Sequence, residues 1–299
     1  MANNGPERSA AARREAAREA ARQRRVQQER RAARHRLLVI VAVSVAVLVV
    51  VGAFTAVLLE SRHNATTHPD IAYGQASSTV QPPAADSVDA PAPNALDGLI
   101  INAKGIGTDN PSDVHVAVYL DFQCPYCAEF EKANGPVLAR LIEQGGVTVV
   151  YHPLAFLDRY SKNTLYSTRA ANAAAVVAHG AGDRLLPFLS ALYAHQPPEN
   201  SPGLTDAQIV DAAREAGVSD AVSATFANTV SGTFQDGAGN AHAGTWRTYA
   251  PWVYMLTAQA QKDLGRGFGT PLVMINGQQF TGDLYTAGDL ERAISAAKR

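Results

Sequence analysis

The sequence predicts an α/β domain preceded by one membrane-crossing helix. Three observations carry that expectation. Short β-rich runs flank a helical stretch at Cys124 and Cys127, a long helical block follows, and an Asn-Gly hairpin with a closing helix ends the chain. Far upstream, residues 37–59 form an uncharged apolar run.

From the start of the chain, charge is the first signal. The 299 residues carry a net −1, but residues 1–36 hold eleven arginines, no lysine and four glutamates, a net of +7 that leaves −8 for the remainder. With almost no large apolar side chains, this tail cannot bury a core. A nucleic-acid-binding arm is one use for such charge. The membrane reading is better and leaves no nucleic-acid role, because the tail runs directly into Leu37–Leu59, whose only mild interruptions are Ser44, Gly52 and Thr55. As a helix those 23 residues reach about 35 Å, enough for a hydrocarbon core of about 30 Å. A cleaved signal peptide competes with this reading. The run is too long for a signal h-region, however, and Glu60-Ser61-Arg62-His63 offers no small-x-small cleavage site. The arginine excess before the run places the tail in the cytoplasm and the cysteines outside, in a single-pass cell-membrane topology. From 60 to 93 the chain is rich in Ser, Thr, Ala, Asp and Pro without periodicity, which predicts a disordered tether.

The domain is expected over 94–299. Val114–Leu120 reads as a buried strand, and Ala128–Lys132 as a helix that Gly135-Pro136 must break or kink. Helix resumes over 137–143, Gly145-Gly146 end it, and Val147–Tyr151 is a second strand. Helices are then predicted over 161–178, 183–195, 205–216, 220–229 and 251–264, with Thr205 and Gly217 as N-cap and C′ residues. Leu272–Ile275, Asn276-Gly277 and Gln278–Phe280 give a strand, a type I′ turn and a strand. A last helix is expected behind a Thr286/Asp289 capping box, burying Leu290 and Ile294.

Within this frame, Cys124-Pro125-Tyr126-Cys127 holds the only two cysteines of the chain. A strand leading directly into a helix puts Cys124 at the helix start, where free N–H groups and the helix dipole favour a thiolate. Cys124 is therefore the expected nucleophile and Cys127 the resolving thiol. Pro125 suits the first helical turn, where a missing N–H costs nothing. A zinc site needs about four ligands, and no third cysteine or close histidine pair exists, so no metal is expected. An inert structural disulfide would close too small a loop to stabilise the domain much. A redox pair is the better reading, and outside the cytoplasm it can act as an oxidant.

The strand, Cys-Pro-Tyr-Cys on a helix, second strand, helical block and Gly269-Thr270-Pro271 before the hairpin resemble the DsbA-like branch of the thioredoxin fold, from about Val114 to the end. The resemblance implies a thioredoxin-like fold with an inserted helical domain over about 161–249. It implies a membrane-anchored bacterial thiol:disulfide oxidoreductase that forms disulfides in exported proteins, without a cofactor. Cys124 and Cys127 would be catalytic. Pro125, Tyr126, Thr270 and a cis Pro271 would contact substrate, Thr270 through backbone hydrogen bonds to an extended chain. The implied partners are exported protein thiols and a quinone-linked membrane oxidase of the DsbB or vitamin K epoxide reductase type. An isomerase or reductase, or a non-catalytic substrate-binding adaptor, are the alternatives. Glutaredoxins share the Pro-Tyr dipeptide but lack a large helical insert. One departure stands out: the family's buried carboxylate six residues before the nucleophile is Val118 here, with Asp121 or Glu129 as replacements.

Overall fold

The computed structural model describes residues 41–59, 70–77, 79–265 and 267–298, with Arg22 and Leu38 besides. The rest of the basic tail lies outside the described residues, as does 60–69. The chain divides into two units, Met1–Glu60 and Ser61–Arg299, each described by itself.

In the first unit, helix α1 (Val41–Leu59) has a mean hydropathy of 2.7 and is long and apolar enough to cross a membrane. Its aliphatic side chains are exposed, as lipid contact requires. The hydroxyl of Thr55 donates to Val51 O at 2.8 Å, so this interruption leaves no polar group unpaired.

The second unit is built on a six-stranded sheet. Its elements are β1 (Leu99–Asn102), β2 (Gly105–Ile106), β3 (Val114–Asp121), α2 (Pro125–Gln144), β4 (Val147–Leu154), α3 (Tyr166–Gly180), α4 (Leu185–Ala194), α5 (Asp206–Glu215), α6 (Asp220–Ser223), β5 (Thr229–Gln235), β6 (Ala241–Arg247), α7 (Ala250–Asp263), β7 (Leu272–Ile275), β8 (Gln278–Gln279) and α8 (Asp289–Ala297). The strands run in the order β2-β1-β4-β3-β7-β8. Only β3 and β4 are parallel, with Val118 opposite Tyr151, and α2 makes the crossover between them. On the other side of β3, Val118 pairs with Val273 of antiparallel β7. Val114, Val116, Val118 and Leu120 of β3 are all buried, so this strand is anchored at the centre of the core. It delivers the cysteine turn from a rigid element.

Helix α2 is continuous through Pro136, where a break or kink was expected. Both halves bury apolar side chains, Phe130 before the proline and Leu138, Leu141 and Ile142 after it. That burial outweighs the roughly 3 kcal/mol cost of an internal proline. Gly135 leaves room for the carboxylate of Glu131, whose Oε1 would lie 2.4 Å from any Cβ added there.

Four further expectations are corrected. Residues 220–229 contain only the single turn α6, and β5 and β6 form an antiparallel hairpin inside the segment expected to be all helical. The second half of the expected tether is packed against that hairpin: Tyr73 lies 4.9 Å from the Trp246 ring and 6.0 Å from Phe234, and Val80 bridges to Asp236. Tyr73 and Val80 are isolated in sequence but meet one aromatic cluster in space. Lastly, α8 begins after Gly288, at φ 91°, because Thr286 donates instead to the Asp283 carboxylate. Leu290 and Ile294 are fully buried as expected. Helix α3 also starts late, since Lys162, Asn163 and Leu165 take left-handed backbone angles that interrupt a helix from 161.

Candidate active site

The end of β3 and the start of α2 place the cysteine pair. Cys124 is the N-cap of α2, with extended backbone angles, and Pro125 occupies the first turn. The Cys124 amide donates to Asp121 O and the Cys127 amide to Cys124 O, both at 3.0 Å, closing the turn. Across from the sulfurs lies the Thr270-Pro271 peptide, which is cis. The Cys124 thiol donates to Thr270 O at 3.2 Å. Both cysteines are in the free thiol form.

The two sulfurs are opposite in character. The Cys124 thiol is lowered to about 6 by hydrogen bonding from Cys127, against the effect of burial, with further help from the Thr270 side chain and the amides of Cys127 and Tyr126. Burial pushes the Cys127 thiol well up, and the neighbouring Cys124 sulfur adds to that. Cys124 is only 5% and Cys127 1% exposed, so neither sulfur is open to solvent: donors lower the first and burial raises the second.

Around the sulfurs, Tyr126 and Tyr285 are exposed and their rings are 6.2 Å apart. Beside them, a cavity of about 590 Å³ is lined by Phe268, Thr270, Pro271, Val273, Phe280 and Leu284. The loop bearing Tyr285 is held in place: Asn134 of α2 donates to Leu284 O at 2.7 Å, and the Asp283 carboxylate accepts the Tyr285 amide at 2.7 Å. The structure thus brings together Cys124, Pro125, Tyr126, Cys127, Thr270 and Pro271. Among the described residues no cluster of His, Cys, Asp or Glu is arranged to hold a metal.

A family model described as thioredoxin matches residues 106–296. The chain belongs to the thioredoxin family. Solved structures similar to it include the reduced form of the disulfide bond oxidoreductase DsbG from Mycobacterium tuberculosis, at 30% identity over 64% of this chain and 80% of that one, with a TM-score of 0.48. The thiol-disulfide oxidoreductase MdbA is similar both from Corynebacterium diphtheriae, at 22% identity over 71% and 98% with a TM-score of 0.50, and from Actinomyces oris, at 22% over 74% and 98% with 0.50. The thioredoxin fold implied by the motifs agrees with these matches. No curated protein matches the chain.

The thioredoxin domain answers the question of the missing carboxylate only in part. Val118 is buried in the core, and Glu129 is exposed on α2. Asp121 is fully buried and raised to about 7 by that burial, but its oxygens already accept from the Gln123 amide (2.9 Å), the Leu157 amide (3.0 Å) and the Ser167 hydroxyl (2.6 Å). It braces the loop beneath the cysteines. Glu131, one turn beyond Cys127, was missed: it is buried and raised by burial, and it accepts from the Ser190 hydroxyl at 2.6 Å. A glutamate on a helix is ordinarily a solvated residue, and a single sequence holds no sign that α4 covers this one. Tyr285 and Gln196 were missed for the same reason, since each reaches the site from a distant loop.

Proposed function

We propose that this chain is a membrane-anchored, extracytoplasmic thiol:disulfide oxidoreductase that oxidises exported proteins through Cys124 and Cys127. The observation that carries this reading is the lowered Cys124 thiol, placed at the start of α2 against Thr270 and backed by a buried, raised Cys127 thiol. In the oxidised pair, a substrate thiolate attacks the Cys124 sulfur. The Cys124–Cys127 bond breaks, a mixed disulfide forms, and Cys127 leaves and takes up a proton. A second substrate thiolate then attacks its own sulfur in the mixed disulfide, releasing Cys124 as a thiolate. The substrate has lost two electrons and two protons; the protein pair has gained both electrons and the proton now on Cys127, and the second proton goes to solvent. A thiol with a low pKa leaves readily, and a stabilised thiolate favours the reduced form, so the pair is an oxidant. A quinone-linked membrane oxidase of the DsbB or vitamin K epoxide reductase type would take the electrons away.

In this reading, Pro125 and Tyr126 border the approaching substrate cysteine. Thr270 and Pro271 meet the extended chain on the other side, with the backbone of Thr270 forming strand-like hydrogen bonds. Helix α1 is the anchor, with the arginine tail in the cytoplasm. The test is to mix the oxidised full-length protein with a reduced, unfolded dithiol protein and follow thiol loss. Stoichiometric transfer of the disulfide is expected, and Cys127→Ser, mixed instead with the disulfide form of the same substrate protein, should accumulate a mixed disulfide through attack by Cys124. Binding of the unfolded protein without any thiol exchange would instead make this domain an adaptor.

A further inference from the structure

The turn that carries Cys124 is gripped by two glutamines outside the redox pair. Gln196, two residues past the end of α4, donates through Nε2 to Phe122 O at 2.8 Å and to Cys124 O at 2.9 Å. In the opposite direction, Gln123 Nε2 donates to Tyr160 O and to Ser201 O, both at 3.2 Å. Gln196 and Ser201 lie in the same loop between α4 and α5. One loop of the helical block therefore holds the residues on either side of Gln123 by their carbonyls and Gln123 itself by its side chain. Both carboxamide hydrogens of Gln196 are used in this grip.

The consequence follows from the cap geometry. Pro125 has no amide hydrogen, so the Cys124–Pro125 peptide contributes only a carbonyl to the turn. That oxygen accepts the Cys127 amide on the helix side and Gln196 on the other. The amides of Tyr126 and Cys127 in the same first turn help to lower the Cys124 thiol. If the carbonyl were released, the peptide plane could rotate, and the amides would lose their aim at the sulfur.

We propose that Gln196 is a positioning residue for the redox pair: by drawing the carbonyls of Phe122 and Cys124 toward the α4–α5 loop, it fixes the turn so that the first amides of α2 face the Cys124 sulfur. The inference rests on the redox reading above. The other titratable groups coupled to Cys124 are Cys127 on α2, Tyr193 on α4 and Tyr285 before α8, and the Gln196 side chain bonds to the carbonyls of Phe122 and Cys124 rather than to any of these side chains.

The test uses the full-length, reduced protein in detergent, with the rate of Cys124 alkylation followed against pH. In Gln196→Ala the midpoint should rise by about one pH unit, the scale set by losing one or two net hydrogen bonds. Gln196→Glu, which sets carboxylate oxygens against two carbonyl oxygens, should raise it further. His195→Ala, which removes only an exposed ion pair with Glu215, should leave it unchanged. A folded Gln196→Ala protein with the wild-type midpoint overturns the proposal. A wild-type midpoint near the ordinary value of about 8.5 would instead overturn the redox reading itself. Should both Gln196 variants fail to fold, the side-chain amide resonances of Gln196 in the wild-type protein decide. They should shift between the reduced and disulfide forms, and unmoved resonances would count against the role.

Discussion

The cysteine turn and the β5–β6 hairpin both rest on the same thioredoxin domain, yet they are built from different materials. The turn is surrounded by buried polar and titratable groups: Asp121, Glu131, Cys127 and Gln123 are all under 10% exposed. The hairpin instead packs Tyr73, Val80, Phe234, Trp246 and Tyr254 around a small aromatic cluster. Buried titratable groups cost stability and change reactivity, whereas buried aromatics contribute stability and leave chemistry alone. Changes in the two regions should therefore separate cleanly into effects on reaction and effects on folding.

The largest effect is expected at the sulfurs. Cys124→Ser should abolish thiol exchange, and Cys127→Ser should arrest it at the mixed disulfide, with little change in unfolding free energy for either reduced protein. Non-reducing gels of the trapped species, together with denaturant titrations, check both parts. Stability loss comparable to that of an aromatic core variant would blur the contrast.

The complementary change is Trp246→Ala. Trp246 is 4% exposed and centred in the aromatic cluster, so its loss should cost about 3 to 5 kcal/mol of stability. Alkylation of Cys124 should keep its wild-type pH midpoint at temperatures where the variant remains folded. A shifted midpoint would show that the hairpin cluster reaches the site.

A third effect concerns pH. Asp121 and Asp158 are raised by burial, to about 7 and about 6, from an ordinary value near 4. At these two sites the folded protein binds more protons than the unfolded chain between about pH 4 and 7, an excess that the buried His152, lowered to about 4, offsets only in part. Stability should fall as pH rises through that window and stay low above it, by on the order of 1 to 3 kcal/mol. Denaturant unfolding of the disulfide form at pH 5 and pH 8, where no thiol titrates, measures it. Asp121→Asn should flatten the dependence while lowering stability at pH 5, because it unpairs the Leu157 amide. The smallest effect is expected for exposed Tyr285→Ala, with less than about 0.5 kcal/mol of stability lost and a severalfold slower attack by a peptide thiol.

What could be read from the sequence follows the same division. Elements whose signals are local came out of the pattern directly: the buried strand Val114–Leu120, Cys124 at a helix start, and Asn276-Gly277 between two strands. Thr205 forms a capping box with Gln208, and Gly217 takes φ 79° at the end of α5. Elements that exist only through distant contacts did not. Gly232 faces Gly244 across the β5–β6 hairpin, so a glycine breaks each strand and its β-branched and aromatic residues form no alternating run. Without the hairpin, Tyr73 and Val80 had no aromatic cluster to join. The six residues that meet at the cysteine turn were picked out because each lies in a short motif. Glu131, Gln196 and Tyr285 were not, because their roles depend on α4 and two loops folding over α2.

The central claim is that donors around Cys124 make the pair an oxidant. Its most direct measurement is the reduction potential of the full-length protein equilibrated against glutathione buffers of known ratio. The expected value lies well above the roughly −270 mV of thioredoxin and toward the roughly −120 mV of DsbA. A potential at or below that of thioredoxin would contradict the account.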